Sequence, residues 1–111
     1  MRAFIVGDDL ALSEESYTIL KRNGCDCREG DRVPLGYASE FLAHARRDVV
    51  VLIMSPHTQT ALKVLRELRN ISAVPILAVG PANDPKFILQ VLREGATEYL
   101  DQSDLEEELD E

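Results

Sequence analysis

Three acidic residues and one aliphatic residue define the chemistry open to this chain. Asp8 and Asp9 follow the short apolar run Phe4-Ile5-Val6-Gly7, and Asp101 follows Tyr99-Leu100, so each carboxylate stands just past an apolar segment. Carboxylates gathered at one edge are the hard oxygen ligands that a divalent cation takes. Between them lies Asp48-Val49-Val50-Val51-Leu52-Ile53-Met54-Ser55-Pro56, whose unbroken apolar centre fits a strand covered on both faces, as in parallel sheets. The carboxyl end of such a strand lines a crevice. The residue near that end is Ile53, and an aliphatic side chain can neither accept a phosphoryl group nor ligate a hard cation, because it has no oxygen. A site is predicted in outline, without its nucleophile. Asp8, Asp9 and Asp101 are read as turn or cap carboxylates, and no metal or cofactor is expected.

The other reactive side chains offer less. Cys25 and Cys27 are the only cysteines and stand one residue apart, which on a strand puts both thiols on one face. His44 and His57 share no ligand spacing with them, so buried reduced thiols are expected rather than a metal site. Gly7-Asp8-Asp9 is not a Gly-x-Gly-x-x-Gly turn, and these residues contain no Gly-x-x-x-x-Gly-Lys loop, so no ATP is expected to bind them.

Charge narrows the partners. A net charge of -8, from 20 acidic against 12 basic groups, repels a phosphate backbone and argues against direct binding of nucleic acid. Much of that charge lies in residues 101–111, read as a solvated helix end or the start of a linker. With 111 residues, 45% of them hydrophobic and 29% charged, the chain is expected to form one domain, 1–111, with no room for a second lobe. No apolar run approaches the roughly 20 residues of a membrane helix. Asp8 and Asp9 stand where a signal peptide needs small neutral residues, so a cytoplasmic location without membrane insertion is expected.

The elements that must position these residues alternate. Residues 4–6 predict a strand, and apolar positions from Leu10 to Leu20 predict a helix stopped by Asn23-Gly24. Cys25-Asp26-Cys27 is the candidate second strand, with residues 28–34 as an irregular connection. Ala38, Phe41, Leu42 and Ala45 recur at three and four, predicting an amphipathic helix over 37–47 that starts near Gly36 or Ser39. After the central strand, Ser55-Pro56-His57-Thr58 opens a helix that ends near Asn70. Residues 74–80 predict another fully apolar strand, with Pro75 where a missing amide donor costs least. Asp84 and Pro85 predict the cap and first position of a helix through Phe87, Ile88, Val91 and Leu92, with Gly95 closing it. Residues 97–100 predict the last strand. Ser103 or Asp104 would cap a final helix from Leu105 of barely two turns, marginal by itself, so residues 1–111 read as the N-terminal part of a longer protein.

Strands and helices alternating about every 20–25 residues predict a parallel sheet with helices on both faces. The short first half and the lack of a Gly-rich first turn favour a flavodoxin-like, doubly wound five-stranded sheet of order 2-1-3-4-5 with a truncated final helix.

Once these motifs are placed, the chain resembles a response-regulator receiver domain of the CheY-like family over essentially its whole length. Phe4-Ile5-Val6-Gly7-Asp8-Asp9 is similar to the family's first strand and acidic turn, Val74-Pro75-Ile76-Leu77 to its fourth strand, and Gly95-Ala96-Thr97-Glu98-Tyr99-Leu100 to its Gly-Ala-x-x-Tyr-Leu signature. The resemblance implies a phosphoacceptor Asp three residues before Pro56 and five after Asp48, and both counts arrive at Ile53. It further implies that Gly7 replaces one member of the acidic pair while Asp8 matches the other. Gly80 stands at the switch Thr or Ser, Gln102 at the Lys, and Tyr99 at the aromatic switch. A receiver needs these groups together, carboxylates for Mg²⁺, an attacking Asp, and a hydroxyl and Lys to report the charge, so the resemblance is to a degenerate receiver without phosphorelay chemistry.

Ala78 to Lys86 and Leu92 to Leu100 look most like the atypical receiver at the N-terminus of CpaE/TadZ-type Flp pilus-assembly proteins, which implies a ParA/MinD-like ATPase after Glu111 and a part in polar localisation. The expected function is a non-enzymatic, phosphorylation-independent interaction or dimerisation module. Its expected partner is a protein, a second copy included, docked on the face of the fourth helix, last strand and last helix, with Phe87, Gln90, Val91, Tyr99 and Leu105 as candidate interface residues. Two alternatives are a small-ligand sensor using a crevice mouth made apolar by Ile53, Met54 and Gly80, and an orphan response regulator of a signal-transduction system.

Overall fold

The computed structural model describes residues 1–44 and 47–109. Among them the elements run β1 (Ala3–Val6), α1 (Leu10–Arg22), β2 (Arg32–Val33), α2 (Ala38–His44), β3 (Val49–Ile53), α3 (Thr58–Ile71), β4 (Ile76–Gly80), α4 (Pro85–Arg93), β5 (Glu98–Asp101) and α5 (Leu105–Leu109). The strands form one sheet of order β2-β1-β3-β4-β5, parallel at every pairing. This is the doubly wound order read from the sequence, and the pleat divides its core in two. Phe4, Val6, Val50, Leu52, Met54, Ile76 and Ala78 pack under α2, α3 and α4, whereas Ala3, Ile5, Val51, Ile53, Val79 and Leu100 pack under α1 and α5. A strand buried on both faces must be apolar at every position, which is why β1, β3 and β4 read as continuous runs rather than alternations.

The second strand departs from expectation. Cys25-Asp26-Cys27 makes only a bridge, Arg2 to Asp26, with the Asp26 amide donating to the Met1 carbonyl at 2.7 Å. The strand proper is Arg32–Val33, in register with Ile5 and Val6. The cause is a buried polar anchor. The Asp31 carboxylate accepts from the Arg28 amide at 3.0 Å, closing a 3₁₀ turn at Glu29–Asp31, and pairs with the Arg47 guanidinium at 2.7 Å. That anchor returns the chain beside β1 at Arg32, whose guanidinium pairs with Glu14 and Glu29. Cys25 and Cys27 are free thiols on the same layer, as their spacing predicts, with Cys27 buried.

Helix ends follow local chemistry. Asp9 caps α1 by accepting from the Leu12 amide, and Asp84 caps α4 by accepting from the Phe87 amide, with Pro85 in the first turn. Gly24 (φ +83°) and Gly95 (φ +125°) adopt the left-handed backbone just past α1 and α4. A 3₁₀ turn at Leu35–Tyr37 precedes α2, and the Ala45 expected on that helix lies outside the described residues. At α3, His57 holds the cap position without a side-chain cap bond, and Asp101 caps the 3₁₀ turn Gln102–Asp104 that contains Ser103 and Asp104, the residues expected to cap α5.

Candidate functional site

The pairings Val6 with Leu52, Ile53 with Val79 and Gly80 with Asp101 bring positions 7, 53, 80 and 101 to one carboxyl edge of the sheet. Ile53 closes β3 there with 0% exposure. Its side chain turns toward the α1 and α5 layer and lies over Gly7, where a Cβ would come within 2.6 Å of Ile53 Cβ and 3.2 Å of its Cδ1. Real Cβ contacts do not approach so closely, so Gly7 and Ile53 form one steric unit. Full burial of such a side chain contributes about 2–3 kcal/mol. The space where an oxygen would be needed is occupied by hydrocarbon.

The remaining carboxylates serve separate turns. Asp8 Oδ1 accepts from the Leu35 amide at 3.0 Å, Asp9 Oδ1 from the Leu12 amide at 3.1 Å, and Asp101 Oδ1 from the Ser103 amide at 2.9 Å. Among the described residues no three His, Cys, Asp or Glu side chains converge on a common point. A Mg²⁺ ion, which the resemblance to receiver domains implies, does not fit this donor set: the side chains at positions 7 and 53 offer no oxygen, and Asp8, Asp9 and Asp101 each hold a different backbone amide.

On the opposite face of the sheet, Gly80 leaves room that Tyr99 fills. A Cβ at Gly80 would overlap the Tyr99 hydroxyl and stand 3.1 Å from its Cζ and 3.2 Å from Met54 Cβ. The hydroxyl donates to the Pro81 carbonyl at 2.9 Å, and the ring meets Phe87 edge-on, centroids 6.4 Å apart at 89°. Burial, helped by Asp101 and Asp84, pushes the phenol up to about 12. Gln102 Oε1 accepts from Ser55 Oγ at 2.9 Å, a neutral tie between the loops that follow β3 and β5.

Two expectations need correction. Ile53, Met54 and Gly80 do not form an apolar mouth: all three are buried, because the pleat turns Ile53 into one layer and Met54 into the other. The cavities nearest that edge are lined by other residues. One of about 390 Å³ lies among Pro81, Asn83, Asp101 and Gln102, and one of about 450 Å³ among Asp8, Leu10, Arg32 and Pro34. Of the candidate interface residues, Val91 and Leu105 belong to the core, Phe87 and Tyr99 are half-buried against each other, and Gln90 alone is exposed. The outward stripe of α4 is instead Pro85, Ile88, Leu89 and Leu92, spaced at three and four, with Leu89 50% and Leu92 37% exposed. Apolar periodicity pointed to this helix, but its buried phase is chosen by the strands beneath it.

No family model matches the chain, and no curated protein matches it. Solved structures do. The chain is similar to a response-regulator receiver domain from Francisella (TM-score 0.81, 20% identity, covering 98% of this chain and 89% of that one). It is similar to a LuxR-family two-component response regulator from Aurantimonas (TM-score 0.81, 22% identity, 97% and 78%). A third likeness is to a Burkholderia pseudomallei response regulator solved with a phosphorylated aspartic acid, calcium ion and citrate (TM-score 0.80, 14% identity, 97% and 63%). At these identities the likeness establishes the fold, the flavodoxin-like sheet of CheY-like receiver domains with its flanking helices. No helix among the described residues is long and apolar enough to cross a membrane.

Proposed function

We propose that this chain is a phosphorylation-independent pseudo-receiver, a non-enzymatic interaction module that pairs with a second copy of itself through the α4–β5–α5 face. The observation that carries the reading is Ile53 seated over Gly7, which removes both the nucleophile and one cation ligand from the edge where receiver chemistry takes place. Gly80 and Gln102 remove the hydroxyl and the ammonium that would report a phosphoryl charge.

The docking face is supported by composition as well as exposure. The α4 stripe of Ile88, Leu89 and Leu92 is flanked by exposed Lys86 and Arg93, whereas α5 presents exposed Glu107 and Glu108. A two-fold pairing would set the basic helix of one copy against the acidic helix of the other, so that opposite charges meet around an apolar centre. Sedimentation equilibrium tests this. A dimer at micromolar concentration, indifferent to acetyl phosphate and Mg²⁺ and lost in Leu89→Glu, supports the reading; a strict monomer at high micromolar concentration overturns it.

The finer assignment, an atypical receiver of CpaE/TadZ type ahead of a ParA/MinD-like ATPase in a cytoplasmic pilus-assembly protein, rests on the stretches Ala78 to Lys86 and Leu92 to Leu100. It requires a Gly-x-x-x-x-Gly-Lys loop after Glu111 and polar foci of the fluorescently tagged protein. Diffuse fluorescence throughout the cell would contradict it.

A further inference from the structure

We propose that Tyr99 is a permanent latch that fixes the β4–α4 loop and the first turn of α4 without any input. The contacts close a circuit. The Tyr99 ring occupies the space a side chain at position 80 would take, and its hydroxyl donates to the Pro81 carbonyl at 2.9 Å. Two residues beyond Ala82, the Asp84 carboxylate accepts from the Phe87 amide at 3.2 Å and so starts α4. Phe87 then returns to the Tyr99 ring edge-on at 6.4 Å. Strand, loop, helix cap and helix side chain are thus tied to one aromatic residue.

The latch depends on the absence of a side chain at Gly80. With no Cβ at Gly80, the phenol can sit against the β4 backbone beside Met54, and the space it occupies is incompatible with even an alanine there. An aromatic side chain free to leave this seat would expose its ring and vacate the Pro81 carbonyl, and both events are disfavoured when the seat is fully formed. The inward arrangement is therefore the resting one, and α4 is held in a single presentation. Its value for partner binding rests on the α4 face being the docking surface, whereas the latch itself does not.

The test separates the two. Amide hydrogen exchange is measured on the monomeric protein at low concentration for the wild type, Gly80→Ala and Tyr99→Phe. Gly80→Ala, which expels the ring, is expected to speed exchange at residues 87–90 by about tenfold while leaving Val50 to Leu52 protected, and Tyr99→Phe to give a smaller acceleration at the same amides. Absorbance titration reports the ring independently: the tyrosine that titrates near 12 in the wild type moves toward its ordinary value of 10.0 in Gly80→Ala. Unchanged exchange at 87–90 in both variants, or a high-titrating tyrosine that persists in Gly80→Ala, overturns the latch. Should the alanine variant fail to fold, Tyr99→Phe with unchanged exchange at 87–90 overturns it alone. Dimerisation enters none of these readouts, so a failure of pairing leaves the result intact.

Discussion

Ile53 lies so close over Gly7 that a single methyl group on residue 7 would stand 2.6 Å from Ile53 Cβ. The two positions are therefore coupled, and the coupling is measurable. Gly7→Ala is expected to destabilise by about 1–3 kcal/mol through overpacking, and Ile53→Gly, which removes the Cβ that an alanine would keep, by at least the roughly 2–5 kcal/mol of a large-to-small core change. The double variant Gly7→Ala with Ile53→Gly should cost clearly less than the sum, since the new methyl enters the space left by the Ile53 Cβ. Urea unfolding of the four proteins checks this, and strict additivity would show that the two residues do not share the site.

Restoring one group should not restore the chemistry. Ile53→Asp places a carboxylate in a fully buried position beside Gly7, and an unpaired buried polar group of this kind costs several kcal/mol. The expected result is a large fall in the urea midpoint with no phosphoryl mass gained from acetyl phosphate.

Arg69 holds three carbonyls together: its Nε donates to the Gly95 carbonyl at 2.6 Å, and its Nη1 to those of Val74 at 2.6 Å and Ser72 at 3.3 Å. Gly95 sits at φ +125°, and a Cβ there would stand 2.9 Å from Arg69 Cδ and Nε. Gly95→Ala combines an unfavourable backbone with displacement of the arginine, for a cost of about 3 kcal/mol. Arg69→Ala leaves the same carbonyls unmet and should fall in the same range. Thermal midpoints lowered by both changes separately, with the pair falling short of the sum by the shared arginine contact while the backbone strain at residue 95 persists, would verify the shared mechanism.

Alkaline stability has two identifiable sources. Burial, with Asp31 adding to it, raises the Cys27 thiol from 9.0 to about 11, and burial raises the Tyr99 phenol from 10.0 to about 12. In each case the unfolded chain releases its proton first, so the folded chain binds more protons inside the window and stability falls as pH rises. The Cys27 share is whole below pH 9.0 and is lost through about 11; the Tyr99 share is whole below 10.0 and is lost through about 12. Urea midpoints across this range should lose their lower slope in Cys27→Ala and their upper slope in Tyr99→Phe.

What the sequence reveals and what it hides divides along physical lines. β1, β3 and β4 are legible because two-sided burial demands apolar residues throughout, and α4 because Asp84, Pro85 and Gly95 mark its ends. Ile53, where the two counts meet, stands at the carboxyl end of β3. β2 is hidden because it is an edge strand of two residues set by a buried Asp31–Arg47 pair, and charged residues signal surface rather than core. The outward phase of α4 is hidden as well: the 3.6-residue period places Val91 and Leu92 on neighbouring positions, and only the sheet beneath α4 decides that Val91 is core and Leu92 is not. The Tyr99–Gly80 contact is likewise invisible to spacing, since it joins residues on adjacent strands through the absence of a side chain.

The most direct test of a pseudo-receiver is its amide NMR spectrum recorded with and without beryllofluoride and Mg²⁺. With hydrocarbon filling the seat between β1 and β3, the resonances of Gly7, Asp8, Ile53, Met54 and Gly80 should superimpose in the two spectra. A saturable displacement centred on those residues would mean that a phosphoryl mimic binds there, and the pseudo-receiver reading would be wrong.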